Sequence, residues 1–186
     1  MPSVEIRLVL PAWIDDEVDA SRRYIDDESR VGLAIRLARR NIVERSGGPF
    51  GAAIFDGDGR VVAAAVNIVL PQNCSAAHAE IMAFAAAQAR LRRARLNEDG
   101  ARYSLATSAQ PCSMCYGASF WAGIDEILIG ARTEDVMELS EFDEGPMPTD
   151  WIGELGKRGI TVRRDILRDE ARAVFELYSR ADGRLY

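Results

Sequence analysis

Two runs rich in β-branched and small apolar residues, 50–55 and 60–69, flank the tetrapeptide Asp56-Gly57-Asp58-Gly59. Asp-Gly steps reach the positive φ that a tight reversal needs, so the two runs are expected to close an antiparallel hairpin. Beyond the hairpin, helical and extended patterns alternate. An Ala-rich run over residues 77–91 has high helix propensity and almost no polar face, which reads as a buried helix. Residues 103–107 then read as a short strand, 112–121 as a helix, 126–131 as a strand and 133–139 as a short helix capped by Thr133. A Gly/Pro loop over 142–149 leads to a helical turn at 151–157, a last strand at 160–164 and a last helix at 167–179. Strand-helix-strand units favour parallel neighbours, whereas a hairpin cannot be parallel. The expectation is a single α/β domain of three layers, α/β/α, around a mixed five-stranded sheet. Ahead of the hairpin, residues 29–43 carry one apolar helical face, stopped by Gly47, Gly48 and Pro49. Residues 1–27 form an acidic extension whose Val4, Ile6, Leu8 and Leu10 read as a short extended arm before Pro11.

A chain of 186 residues, 48% of them hydrophobic, buries enough surface to fold without disulfides. Apolar stretches such as residues 81–87 fall far short of the ~20 residues that cross a bilayer, and no leader pattern opens the chain. These features read as cytoplasmic, with no membrane partner. The 23 basic and 29 acidic side chains leave a net charge of −6, which weighs against a nucleic-acid partner. With one histidine and three cysteines, any metal site or imidazole chemistry must draw on Cys74, His78, Cys112 and Cys115.

His78-Ala79-Glu80 opens the Ala-rich helix, and Pro111-Cys112-Ser113-Met114-Cys115 opens the next one after an intervening strand. Helix N-termini present unpaired N–H groups and the positive end of the dipole, which favour the thiolate that a metal needs. One imidazole and two thiolates make a soft N/S site, whose first candidate is tetrahedral Zn2+. Three protein ligands leave the fourth position for a water, which the ion acidifies. Glu80 sits about 200° around an ideal helix from His78, poorly placed as a second ligand and free to move that water's proton. Two blander arrangements compete. His78 could be a satisfied buried histidine with Cys112 and Cys115 as core thiols. Alternatively Cys74 could complete a closed structural site, giving a zinc-binding scaffold without catalysis. Cys74 stands before the helix rather than on it, which places it outside the ligand set.

The paired motif resembles the zinc-dependent nucleobase deaminases of the cytidine/deoxycytidylate deaminase superfamily, in which the motif glutamate is the general acid/base. The resemblance extends over most of the chain and is nearest to bacterial guanine deaminases. It is carried by Gly48-Pro49-Phe50, Asn67, Trp121, Phe142-Asp143-Glu144 and an aromatic tail ending in Tyr186. The resemblance implies a cytidine deaminase-like fold over residues 1–186, with 1–27 as an N-terminal extension and 182–186 as a tail closing the active site. One Zn2+ per subunit would be held by His78, Cys112 and Cys115, with Glu80 and Glu144 as the proton-moving carboxylates. Phe50 and Trp121 would sandwich a planar base, Asn67 and Asp143 would meet its edge, and Tyr186 would cover it. In related enzymes the tail closes from the same or a domain-swapped subunit, so a homodimer is implied. The implied reaction converts guanine to xanthine and ammonia. The motif alone also serves deaminases of cytosine, nucleosides or amino-triazines such as ammeline, and a tRNA adenosine deaminase, which the acidic charge disfavours. One departure stands out: Gln110 precedes Pro111-Cys112 where the family commonly has Glu.

Overall fold

The computed structural model describes residues 4–181 and Gly183. Its elements are α1 (Ile14–Glu17), α2 (Asp27–Val43), β1 (Gly51–Asp56), β2 (Val61–Val66), α3 (Val69–Gln72), α4 (Ala79–Leu91) and β3 (Tyr103–Ala109). They continue with α5 (Ser113–Ala122), β4 (Glu126–Ala131), α6 (Thr133–Leu139), α7 (Trp151–Gly156), β5 (Thr161–Arg163) and α8 (Arg168–Arg180).

Among the described residues the strands form one sheet in the order β2-β1-β3-β4-β5. The hairpin β1–β2 and the pair β1–β3 are antiparallel, while β3–β4 and β4–β5 are parallel. The expected mixed five-stranded sheet is therefore present. The turn closes through Asp56, whose Oδ1 accepts from the N–H groups of Asp58 (3.0 Å) and Arg60 (2.9 Å). Gly51 to Phe55 and all of β3 are buried whichever way each side chain points, because both faces of the sheet centre are covered. Helices α2 and α8 pack on β1, β3 and β4, and α4 packs on β1 and β2 with α5 alongside. Gly51 has no Cβ for a reason: an added one would collide with the Ala34 carbonyl of α2, so the smallest residue lets that helix lie directly on β1.

Two local expectations change. Residues 69–72 form the short α3 instead of continuing β2, since Asn67 Oδ1 accepts from Val69 N–H and turns the chain. Asp135, not Thr133, caps α6: its carboxylate accepts from Arg132 N–H at 2.9 Å, while Thr133 Oγ1 has no hydrogen-bond partner. The N-terminal arm is anchored on the core. Leu8, Leu10 and Trp13 rest on the core, and Glu17 pairs with Arg36 (3.0 Å) and Arg40 (3.4 Å) of α2. Among the described residues no helix is long and apolar enough to cross a membrane.

The fold sets the site by bringing two helix starts together. The chain leaves the carboxyl end of β3 through Gln110 and Pro111 into α5, beside the N-terminus of α4. Such crevices at strand ends are where open α/β sheets bind ligands.

Candidate active site

His78 and Cys112 are the N-cap residues of α4 and α5, both with extended backbone, and neither spends its side chain on capping. Cys115 lies one turn into α5, on the same side of the helix as Cys112. The ligand atoms of His78, Cys112 and Cys115 all lie within 4.8 Å of one another, and Cys112 Sγ is 3.6 Å from His78 Nδ1. Tetrahedral zinc with ordinary Zn–S and Zn–N bonds needs roughly 3.6 Å between a sulfur and a nitrogen ligand. The donor set and its spacing therefore fit a single zinc ion. Cys74 is outside this group; it packs half-buried against the core, which removes the closed four-ligand site.

Two carboxylates converge on the same place. Glu80, on the first turn of α4, is 6% exposed, and Glu144, in the loop after α6, is 8% exposed. Glu144 is held by its main chain, because its carbonyl accepts from Ser113 N–H at the start of α5 (2.9 Å). Asp143 Oδ1 accepts from Gly145 N–H (2.9 Å), which tightens the turn around Glu144. Gly145 has φ +70, and a Cβ there would come within 2.5 Å of Ser113 Oγ, so glycine is required both for the turn and for the close approach.

The charges in the cluster shift one another. Burial pushes the Glu80 carboxyl up to about 7, and the negative Cys112 adds to it. Burial, then Cys112 and Glu80, push Glu144 up to about 8. A hydrogen bond from the Cys115 thiol holds Cys112 down to about 4 against burial, and His78 helps. Cys115, the donor in that bond and buried, is raised above the usual thiol range. Burial works against a charged His78, yet its hydrogen bond with Cys112 and the negative charge of Glu80 leave it raised. A dication held by the thiolates would favour the ionised form of every acid here.

A cavity of about 90 Å³ opens onto His78, Cys112, Glu80, Glu144 and Asp143, with Gln110 beside them and Phe50 and Phe142 as apolar walls. The two rings meet edge to face at 5.3 Å. Behind them stands α8, whose Phe175 packs on Phe50 at 5.5 Å and whose Tyr178 stacks on Phe142 at 6.0 Å.

Of the residues singled out in the sequence, six line this cavity together: Phe50, His78, Glu80, Cys112, Asp143 and Glu144. Cys115 sits just behind them. Asn67 does not line the cavity. It is buried next to Phe50, whose carbonyl takes its N–H, with Oδ1 committed to Val69 and its own carbonyl to Asn41 Nδ2. Trp121 is 74% exposed and does not line the cavity. Nine residues at about 100° each carry it roughly half a turn around α5 from Cys112, so one helix cannot aim both at the same point. Phe142 takes the wall position instead; its place at the head of the Phe142-Asp143-Glu144 segment was the available signal. Tyr186 and the tail expectation fall outside the described residues.

Residues 25–131 match the family model of the cytidine and deoxycytidylate deaminase zinc-binding region. Guanine deaminase of Bacillus subtilis (strain 168) is 34% identical over 120 residues, covering 64% of this chain and 73% of that protein. The solved guanine deaminase from Nitrosomonas europaea is 42% identical with a TM-score of 0.87, covering 96% of this chain and 97% of its own. A protein solved in complex with 2,6-diaminopurine is 42% identical with a TM-score of 0.90, covering 98% and 96%.

Proposed function

The chain belongs to the cytidine and deoxycytidylate deaminase zinc-binding family, and from that premise we propose that it hydrolyses guanine to xanthine and ammonia with one zinc ion per subunit. One observation carries the reading: two buried carboxylates share a cavity with a three-residue His-Cys-Cys metal site. Its similarity to the guanine deaminases of Bacillus subtilis and Nitrosomonas europaea supports guanine as the base.

His78, Cys112 and Cys115 would hold the ion, which when bound acidifies water toward a nucleophile usable near neutral pH. The protein's own residues do the rest. Glu80 takes a proton from the attacking water and returns it to the amine, so that a C–O bond forms, the C–N bond breaks and ammonia leaves neutral. Glu144 accepts from ring N–H and amino donors of the base and assists protonation of the leaving group. Phe50 and Phe142 pack on the apolar ring faces. Asn67 supports the base edge indirectly, from behind Phe50, whose carbonyl accepts its N–H. Asp143 acts through the turn that holds Glu144.

The working form is a cytoplasmic homodimer. The exposed Trp121 of α5, which packs on the half-buried Phe120 at 5.6 Å, marks the surface a second subunit would cover, and the tail with Tyr186 would close the cavity from one chain or the other. Neither nucleic acid nor membrane is a partner.

Ammonia release from guanine, cytosine, cytidine and ammeline by the zinc-loaded protein tests the substrate. Guanine should turn over fastest, and turnover of cytosine or ammeline without guanine would overturn the choice. Sedimentation equilibrium should return the mass of two chains.

A further inference from the structure

We propose that Gln110 is a substrate-contacting residue that sets specificity for the base, its side-chain amide donating a hydrogen bond to a ring acceptor of the purine. The inference deepens the guanine reading and rests on it.

Gln110 is the residue at which β3 hands over to α5, and its main chain is pinned there. Its N–H donates to the Ala131 carbonyl at 2.9 Å, and the following Pro111 restricts the backbone further. The side chain is 6% exposed and lines the cavity beside Glu80 and Glu144. Its amide is not spent on a neighbouring side chain or main-chain group and is not sealed in the core, where Thr133 Oγ1 is the buried side-chain atom without a partner among the described residues. The amide is therefore presented to the cavity, available to a group that enters it.

The chemistry of the cavity indicates which group. Glu80, Asp143 and Glu144 can only accept when ionised, and His78 and Cys112 turn to the metal. A purine edge carries N–H donors, which carboxylates satisfy, together with a carbonyl oxygen and ring nitrogens, which carboxylates cannot. Among the side chains lining the cavity, the neutral amide of Gln110 brings free N–H donors to those acceptors. An ionised glutamate in its place would offer no donor and would add a negative charge beside Glu80 and Glu144. A site that hydrogen-bonds a polar group on its substrate also discriminates more strongly than one that only packs against it.

Two variants of the zinc-loaded protein separate the possibilities. Gln110→Met keeps the length and removes all hydrogen bonding, while Gln110→Glu keeps the shape and acceptors and removes the donors. Zinc content, thermal midpoint, kcat and KM for guanine, and 8-azaguanine affinity by calorimetry are compared with wild type. Both variants should keep their zinc and midpoint. Each should raise KM and the 8-azaguanine Kd by about 10- to 100-fold, with kcat changing less. An unchanged KM in both variants overturns the proposal. Loss in Gln110→Met with recovery in Gln110→Glu makes the contact an acceptor and overturns the donor assignment. If Gln110→Met is unstable, Gln110→Glu decides by the same criterion. A wild-type protein that releases no ammonia from guanine sinks the underlying reading, a result distinct from any difference between variants.

Discussion

Asp135→Asn removes one negative charge from a crowded position between α6 and α8. The Asp135 side chain is 1% exposed and accepts from Arg132 N–H at 2.9 Å, from Arg168 Nε and Nη2 at 2.7 Å each, and from Arg172 Nη1. Removing one member of a buried ion pair typically costs about 3–5 kcal/mol, because the other member is stranded. Here the guanidiniums remain 35% and 26% exposed and can take up water, which lowers the expected cost to about 2–3 kcal/mol. For a chain of this size that is a fall of roughly 4–12 °C in Tm. The sign with pH follows from the same contacts. Bonds from Arg168 hold the Asp135 carboxyl well below the ordinary carboxylate range against its burial. The group therefore contributes stability that is complete above an unfolded carboxylate pKa of about 3.9 and is lost as pH falls toward its lower folded value. Urea unfolding of wild type and variant should show a constant gap from about pH 8 to 5 that narrows below about pH 4. Zinc release in acid affects both proteins and drops out of the difference. A gap under about 0.5 kcal/mol at neutral pH, or one that does not narrow in acid, would refute the reasoning. Because Phe175 and Tyr178 of α8 back the cavity walls Phe50 and Phe142, the variant should also lose activity on warming before wild type does.

Other perturbations address the site directly. Glu80→Gln should keep a full complement of zinc by elemental analysis and lose about 10²- to 10⁴-fold in ammonia release; full activity would remove Glu80 from the chemistry. Cys115→Ser should lose zinc, whereas Cys74→Ser should keep both zinc and activity, and a zinc-poor Cys74→Ser would return Cys74 to the ligand set. Gly145→Ala forces a side chain into the left-handed region against Ser113 and should cost about 1–2 kcal/mol while lowering kcat as Glu144 shifts. Gly156→Ala, where a Cβ meets nothing within 4 Å, is the matched control and should leave kcat unchanged.

Legibility followed the range of the interactions. The hairpin was readable because Asp56 and Gly59 act within a few residues of each other, and α2 because its apolar face repeats along the helix until Gly47, Gly48 and Pro49. The strand near residue 69 was misjudged because one side chain, Asn67, decides where β2 ends, and β propensity is blind to that. The cap of α6 was assigned to Thr133 on residue type, but Asp135 prevailed because arginines from α8, more than thirty residues away, fix its carboxylate in place.

The site divides in the same way. Sequence by itself determined the reagents: a lone histidine with Glu80 two residues on, and two cysteines one turn apart, all set by helical spacing. Only the tertiary structure decided the company they keep. Sheet order brings the starts of α4 and α5 together, the Ser113 to Glu144 bond draws a distant loop over them, and Phe142 rather than Trp121 becomes the wall opposite Phe50. Gln110 shows the difference most plainly. In sequence it is a single departure beside a motif, and its role rests on burial, on an amide presented to the cavity and on the carboxylates around it. Those are properties of packing, which brings together residues that the chain keeps far apart.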